Sequence, residues 1–357
     1  MFIFLNANDI RSTYEQSAIK IINALKKDSI GYNRLSYLCD MFGPRLSGSK
    51  NLEKSIDWVL KEMKNDGLSK VKGERVKVPS WIRGEESLKI LIPFEKKLRI
   101  LGVGGSVSTP KGGIRGEVVV VNNFEDLEKI KKSVRGKIVL YNVPFTNYGE
   151  TVKYRYEGPN IAAKYGAIAS LIRSVGNGLM DTPHTGTMGE YKTFRKIPHA
   201  AITAEDAMMI DRICKRGQRV VLKLQMEAKF VEDRWSRNVL AELRGSTHPE
   251  EIVIVGGHID SWDVGQGAHD DAGGCIAAWR AVTLIKELGL KPRRTIRIVL
   301  WTNEENGGRG NINYKNEHFN ELENHILAIE SDGGVFAPQG FGFTGSARAK
   351  KMILDIS

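Results

Sequence analysis

The chain has 357 residues, 41% hydrophobic and 27% charged, which is typical of a globular protein with one interrupted domain or two domains. The formal net charge is +11, yet lysines and arginines are scattered among acids, and no basic stripe interleaved with aromatic residues indicates a nucleic-acid partner. No apolar run reaches the length of a membrane span, and three widely separated cysteines argue against a disulfide framework or a cysteine zinc site.

Helices are predicted at the start of the chain. Apolar residues recur at helical spacing between Ser17 and Lys27. A second helix is predicted to begin near Ser49 and to end at Gly67, a residue that suits the left-handed position after a helix. Strands are then predicted at Val71 to Val78 and at Leu88 to Ile92.

A separate α/β module is predicted over residues 110–230, beginning at a strong turn signal in Thr109 to Gly113. Its predicted strands are Val118 to Val121, Lys137 to Tyr141, Ala167 to Ile172 and Val220 to Leu224, and its predicted helices are Phe124 to Val134, Asn160 to Tyr165 and Ala204 to Arg216. The module carries no dense group of histidines and carboxylates. Residues 1–109 and 231–357 are therefore predicted to form one domain that this module interrupts.

Polar clusters follow apolar runs in the last third of the chain. They are His258 and Asp260 after Ile252 to Val255, Asp270 and Asp271 in a glycine-rich loop, Glu304 and Glu305 after Ile296 to Trp301, and Asp332 after Ile326 to Ile329. Short runs rich in Val and Ile predict buried strands of a largely parallel sheet. Because ligands gather where such strands end, the clusters predict a metal hydrolase site at that edge.

His258 and Asp260 are typical of a metal ligand and the residue that orients it. Residues two apart on an extended segment face the same way, so the Asp260 carboxylate could accept the second N–H of the imidazole. A carboxylate at Asp270 or Asp271 could bridge two cations, or could cap the helix that follows. His269 is a rival ligand that ranks below Asp270, because side chains of adjacent residues point in different directions.

Glu304 and Glu305 are adjacent acids at the end of a buried strand. Like charges raise each other's pKa unless a cation compensates them. One carboxylate could then ligate the cation while the other takes a proton from water. Asp332 is a candidate for a further oxygen ligand, and mixed histidine and carboxylate ligands suit zinc, cobalt or manganese.

These motifs together resemble metallopeptidase family 28, the co-catalytic zinc peptidases. The matching segments are His258 to Ala268, Asp270-Asp271, Trp301 to Glu305 and Glu330 to Gly334, supported by Gly43 to Lys54, Arg83 to Ser87 and Pro183 to Gly186. The resemblance implies an α/β zinc-peptidase domain of the phosphorylase/hydrolase-like type, with a mostly parallel-centred mixed sheet flanked by helices. Residues 1–109 and 231–357 would belong to that domain, and residues 110–230 would be an inserted protease-associated domain.

The resemblance also implies roles for individual residues. His258, Asp270, Glu305 and Asp332 would bind two zinc ions, with Asp270 bridging both. Glu304 would be the general base, and Asp260 would orient His258. The implied activity is hydrolysis of small peptides, chiefly dipeptides with free termini, by a secreted or lysosomal homodimer acting as a carboxypeptidase or dipeptidase.

Two features depart from the family pattern. The fifth ligand of the family is a histidine some tens of residues past Asp332, and His269, His318 and His325 do not occupy that position. The expectation is therefore a C-terminally truncated chain, or a second metal without that ligand. No secretion signal is recognisable at the start. Two alternatives stay open: a metal-free binding or dimerisation module on the same fold, and an aminopeptidase of the same family acting on longer peptides.

Overall fold

The structure is a computed structural model that describes residues 7–191 and 194–356. The chain divides into unit 1, which comprises the described residues up to Val78 and from Trp235 onwards, and unit 2, which comprises Pro79–Arg234. Unit 2 thus begins at Pro79, whereas the predicted insertion begins at residue 110. The segment Glu86–Ile92 pairs with Val221–Met226 in the sheet of unit 2, so the turn signal near residue 110 lies inside that unit.

The described residues form helices and strands in alternation. The helices are α1 (Ala7–Leu25), α2 (Ile30–Phe42), α3 (Lys50–Asn65), α4 (Phe124–Lys129), α5 (Tyr148–Tyr156), α6 (Gly158–Lys164), α7 (Ala204–Lys215), α8 (Gly273–Glu287), α9 (Arg309–Glu317) and α10 (Ala347–Ile356). The strands are β1 (Ser69–Ile82), β2 (Glu86–Ile92), β3 (Lys96–Leu98), β4 (Ile100–Gly102), β5 (Ile114–Val121), β6 (Ile138–Tyr141), β7 (Ala169–Arg173), β8 (His199–Ile202), β9 (Val221–Met226), β10 (Lys229–Leu243), β11 (His248–His258), β12 (Arg294–Trp301) and β13 (His325–Glu330). In the part of the chain described, no helix combines the length and apolar character needed to cross a membrane.

Unit 1 contains a mixed sheet whose described strands lie in the order β1-β10-β12-β11-β13. β11 is parallel to β12 and β13, whereas β10 is antiparallel to β12. On one face, Ile56 of α3 and Trp279 of α8 are fully buried in a cluster with Ile298 of β12. On the other face, Tyr314 of α9 packs in a cluster with Val299. Helices therefore cover both faces, which confirms the predicted mixed α/β class.

β13 is the outermost strand of this sheet in the described part of the chain. Its apolar run predicted a buried strand, but Ile326, Leu327 and Ile329 are between 36% and 52% exposed. The run correctly indicated a strand parallel to β11. It did not indicate burial, because burial depends on which elements cover the strand and not on its own sequence.

Unit 2 contains a sheet in the order β3-β2-β9-β5-β6-β7-β8-β4. Its central strands β5 to β8 are parallel, and the strands on either side of them are antiparallel to their neighbours. Leu127 of α4, Ala162 of α6 and Val139 of β6 are fully buried in one apolar cluster. The helix predicted to continue to Val134 ends at Lys129, and a separate single turn, Lys131–Ser133, follows it.

Replacing Ile56 with alanine should destabilise unit 1 by about 2–5 kcal/mol, because a fully buried side chain is truncated in a packed core. Urea unfolding followed by tryptophan fluorescence measures this loss, since every tryptophan except Trp81 belongs to unit 1. The matched control is Ile312→Ala on α9, where the side chain is 55% exposed and the change should cost less than about 0.5 kcal/mol. Equal effects of the two substitutions would contradict the packing described above.

Candidate metal centre

The parallel strands of unit 1 end at one edge of the sheet. β11 ends at His258, which pairs with Trp301 at the end of β12, and Gly256 pairs with Glu330 at the end of β13. The segments just beyond these strands therefore meet, as expected at the carboxyl edge of a parallel sheet. This register brings together the three predicted clusters that follow strands, and contacts with His258 add the cluster of Asp270 and Asp271.

The imidazole of His258 lies at the centre of the group and is 1% exposed. Its Nε2 atom lies 3.0 Å from Oδ1 of Asp270 and 3.3 Å from Oδ1 of Asp332. Oε2 of Glu304 lies 4.0 Å from the same nitrogen. One nitrogen therefore faces three carboxylates, which is an arrangement that a cation between them would complete.

Glu305 joins the same group through Asp270. His258, Asp270 and Glu305 each offer a ligand atom, and these atoms all lie within 4.8 Å of one another. His258, Asp271 and Asp332 form a second set with the same property. Each of the four predicted metal ligands thus belongs to at least one of these two sets.

Asp271 differs from Asp270 in how its oxygens are used. It is fully buried, and its two oxygens accept hydrogen bonds from the main-chain N–H groups of His258 and Gly274, each at 3.0 Å. A Cβ on Gly257 would lie 2.1 Å from Oδ2 of Asp271, so only glycine lets this carboxylate approach the end of β11. Asp271 caps the start of α8, and Asp270 is the carboxylate left to face a cation. The peptide bond between the two is cis.

The position of Asp260 differs from the predicted one. Nδ1 of His258 lies 2.9 Å from the main-chain carbonyl oxygen of Asp260, whereas its carboxylate lies 3.9 Å away. That carboxylate instead accepts hydrogen bonds from the main-chain N–H groups of Glu304 at 3.1 Å and Glu305 at 3.4 Å. The prediction assumed an extended backbone through Asp260, but β11 ends at His258 and the chain turns there.

Burial disfavours the ionised form of the carboxyl groups at this edge. Burial, followed by the charge of Asp270, raises the pKa of Glu305 to about 9. Burial also raises the pKa of Asp271 to about 8 and shifts the pKa of Glu304 upwards. Although burial opposes it, hydrogen bonding to Asp270 and Asp332 raises the pKa of His258 to about 12. A divalent cation would supply the positive charge that these carboxylates lack, so the donor set fits a zinc ion.

Another group with ligand-type side chains lies at the opposite end of β11. His248, Glu250 and Glu251 bring their ligand atoms within 4.8 Å of one another. Glu251 is already paired with Arg294, and Arg293 lies 3.3 Å from Nε2 of His248. Positive charge is therefore present at this end without a metal, and the group is a weaker candidate.

Sequence reasoning missed the side chains that support the ligands. Oγ of Ser47 donates to the Asp260 carboxylate at 3.2 Å, and Nδ2 of Asn303 donates to Oγ of Ser47 at 3.1 Å. Asn303 has a positive φ of 65°, which is uncommon for a residue other than glycine. Ser47 and Asn303 lie within segments that carry the family resemblance, but neither has a side chain typical of a zinc ligand.

Comparison with known proteins identifies the family. A model of Peptidase family M28 matches residues 238–355. Carboxypeptidase Q of Bos taurus is 49% identical over 346 residues, which cover 96% of this chain and 73% of the bovine protein.

Solved structures agree with this relationship. A peptidase M28 precursor from Shewanella amazonensis SB2B superposes with a TM-score of 0.86 at 36% identity, covering 92% of this chain and 75% of that one. A zinc aminopeptidase from Bacillus subtilis has a TM-score of 0.63 at 21% identity, covering 85% of this chain and 68% of that one, and shows likeness of fold alone. The chain therefore belongs to peptidase family M28 and is a zinc-dependent metallopeptidase.

Proposed function

We propose that the chain is a carboxypeptidase or dipeptidase that hydrolyses small peptides, chiefly dipeptides with free termini. The observation that carries this proposal is the convergence of Asp270, Glu304 and Asp332 on one buried imidazole nitrogen of His258. The similarity to carboxypeptidase Q over almost the whole chain supports a carboxypeptidase mode. The preference for dipeptides and the free termini comes from the family resemblance.

His258, Asp270, Glu305 and Asp332 are the proposed ligands of two zinc ions, with Asp270 shared between them. An imidazole nitrogen with carboxylate oxygens is a donor set that zinc accepts. The bridging role is supported by the position of Asp270, which lies against His258 and in the same group as Glu305. Asp271 is the weaker candidate, because main-chain N–H groups already occupy both of its oxygens.

Glu304 is the proposed general base. When bound, zinc lowers the pKa of a coordinated water to about 7 and polarises the scissile carbonyl group. Glu304 takes a proton from the attacking water and then donates it to the leaving amine. Burial raises the pKa of its carboxyl group, which suits a residue that must both accept and return a proton. Asp260 holds the main chain of Glu304 and Glu305 in place through two hydrogen bonds.

Further proposals rest on the resemblance alone. Residues 110–230, which lie within unit 2, would form a protease-associated domain, and the enzyme would act as a secreted or lysosomal homodimer. The parallel centre of unit 2, β5 to β8, with helices packed against it, is compatible with an inserted α/β module.

Replacing Glu304 with glutamine should lower kcat for dipeptide hydrolysis by about 10²–10⁴-fold, because the side chain keeps its shape but can no longer accept the proton. Zinc content should stay that of the parent, since Glu304 is not a proposed ligand. Steady-state kinetics and elemental analysis on the same preparation measure both quantities. Glu317→Gln, an exposed change on α9, is the matched control and should leave kcat unchanged. Near-parent turnover by the Glu304 variant would remove the base role.

Replacing Asp270 with asparagine should lower bound zinc from two ions per chain to one or fewer, because the amide gives only one neutral oxygen donor. Elemental analysis after dialysis against metal-free buffer measures the content. Asp233→Asn, at an exposed position outside the site, is the control. Unchanged zinc in the Asp270 variant would overturn the bridging role. A folded parent protein without zinc would favour the alternative of a metal-free binding module.

Blocked dipeptides should separate carboxypeptidase from aminopeptidase activity. If the enzyme recognises the free carboxyl terminus, an N-acetylated dipeptide should be hydrolysed while the corresponding C-terminal amide loses most of its kcat/KM. A true dipeptidase should need both termini free. Cleavage of longer peptides from the amino terminus, with tolerance of a C-terminal amide, would instead support the aminopeptidase alternative. Mass spectrometry of the products identifies which bond is cut.

A further inference from the structure

Arg45 is a fully buried arginine in the loop between α2 and α3. Each hydrogen bond recorded for its guanidinium goes to a main-chain carbonyl oxygen. Nη1 donates to Gly43 in its own loop at 2.9 Å. The other guanidinium bonds reach two segments more than two hundred positions away in sequence.

Those two segments carry proposed metal ligands. Nε of Arg45 donates to the carbonyl of Ile259 at 2.9 Å, and Ile259 directly follows His258. Nη1 and Nη2 donate to the carbonyls of Gln266 at 2.8 Å and Gly267 at 3.0 Å, just before Asp270. One rigid planar group thus spans the segment that bears the histidine and the loop that bears the aspartate.

The main chain of Arg45 strengthens the same link. Its N–H donates to Oγ of Ser261 at 3.0 Å, and the N–H of Ser261 donates back to the carbonyl of Arg45 at 3.2 Å. Two positions along, Ser47 donates to the Asp260 carboxylate. The segment from Arg45 to Ser47 is therefore hydrogen-bonded both to residues 259–261, directly after β11, and to residues 266–267, just before the Asp270 loop.

The charge of Arg45 also matters. Burial lowers the pKa of its guanidinium, while neighbouring negative groups that include Asp260 and Asp271 act in the opposite direction. A buried cation is costly unless nearby groups compensate it. The negative charge of Asp260 and Asp271 therefore offsets part of the cost of burying Arg45.

We propose that Arg45 is a positioning residue that fixes the spacing between the His258 segment and the Asp270 loop before zinc binds. The inference rests on the proposed zinc site. Lysine should not replace it, because an ammonium group offers three donors from one point, whereas the guanidinium spreads its donors over a planar fork. Arg45 touches no reacting atom, so its effect should appear in metal affinity and not only in turnover.

The test compares Arg45→Lys with Arg280→Lys. Arg280 is also buried in unit 1, but its guanidinium binds Asp28 and Glu287 and none of the ligand segments. Both variants should lose thermal stability. Competition with a chromophoric chelator should show zinc affinity lowered about 10–100-fold in the Arg45 variant, the range typical for loss of a group that orients ligands, and within twofold of the parent in the Arg280 variant.

A folded Arg45→Lys protein with the zinc affinity of the parent would overturn the inference, and equal losses in both variants would reduce Arg45 to a general stabilising role. If the parent itself binds no zinc, the proposed function fails first.

Hydrogen exchange of the parent protein needs no variant, and it tests the inference even if the Arg45→Lys variant does not fold. Main-chain amides of residues 259–272 should be almost equally protected with and without zinc, whereas protection that appears only with zinc would show that Arg45 does not preorganise the segments.

Discussion

The fold of unit 1 must overcome the mutual repulsion of the carboxylates that meet at His258. Asp270, Glu304, Glu305 and Asp332 converge on His258, and like charges at such distances oppose folding unless other groups compensate them. The register of β11, β12 and β13 nevertheless brings these segments together. The packed helices on both faces of the sheet then hold the strand ends in position. A cation at this edge would turn an unfavourable cluster into a favourable one, which links metal binding to stability.

The sequence predicted the positions of strands better than their burial. Apolar runs located β11, β12 and β13, because alternating or continuous Val and Ile residues reflect the local backbone. They could not show that β13 is exposed, since its burial depends on distant elements. The sequence predicts an insertion from residue 110, whereas unit 2 begins at Pro79, because only long-range pairing assigns β2 to the sheet of unit 2. α2 was not predicted, although its Leu38 and Cys39 are buried in the core of unit 1.

The candidate site was predictable in residue type but not in the detail of its contacts. His258, Asp270, Glu304, Glu305 and Asp332 were each chosen from their place after a predicted strand or in a glycine-rich loop, and the structure brings them together. The hydrogen-bond partners of Asp260 were not predictable, because they depend on the end of β11 at His258, two residues earlier. Arg45 gives no metal-type signal, since the hydrogen bonds described for its guanidinium go to main-chain carbonyl oxygens that only folding brings close.

Two kinds of carboxylate can be distinguished at this edge by their exposure. Asp260 and Asp271 are fully buried, and both accept two main-chain hydrogen bonds that hold a neighbouring segment. The side chains of Asp270, Glu304 and Asp332 are 61%, 50% and 47% exposed, and they face the imidazole nitrogen of His258. In the Asp270–Asp271 pair, the buried Asp271 therefore anchors the backbone, while the more exposed Asp270 faces the imidazole of His258. Two of the six carboxylates described at this edge, Asp260 and Asp271, thus hold main-chain segments so that the other four lie where a cation can reach them.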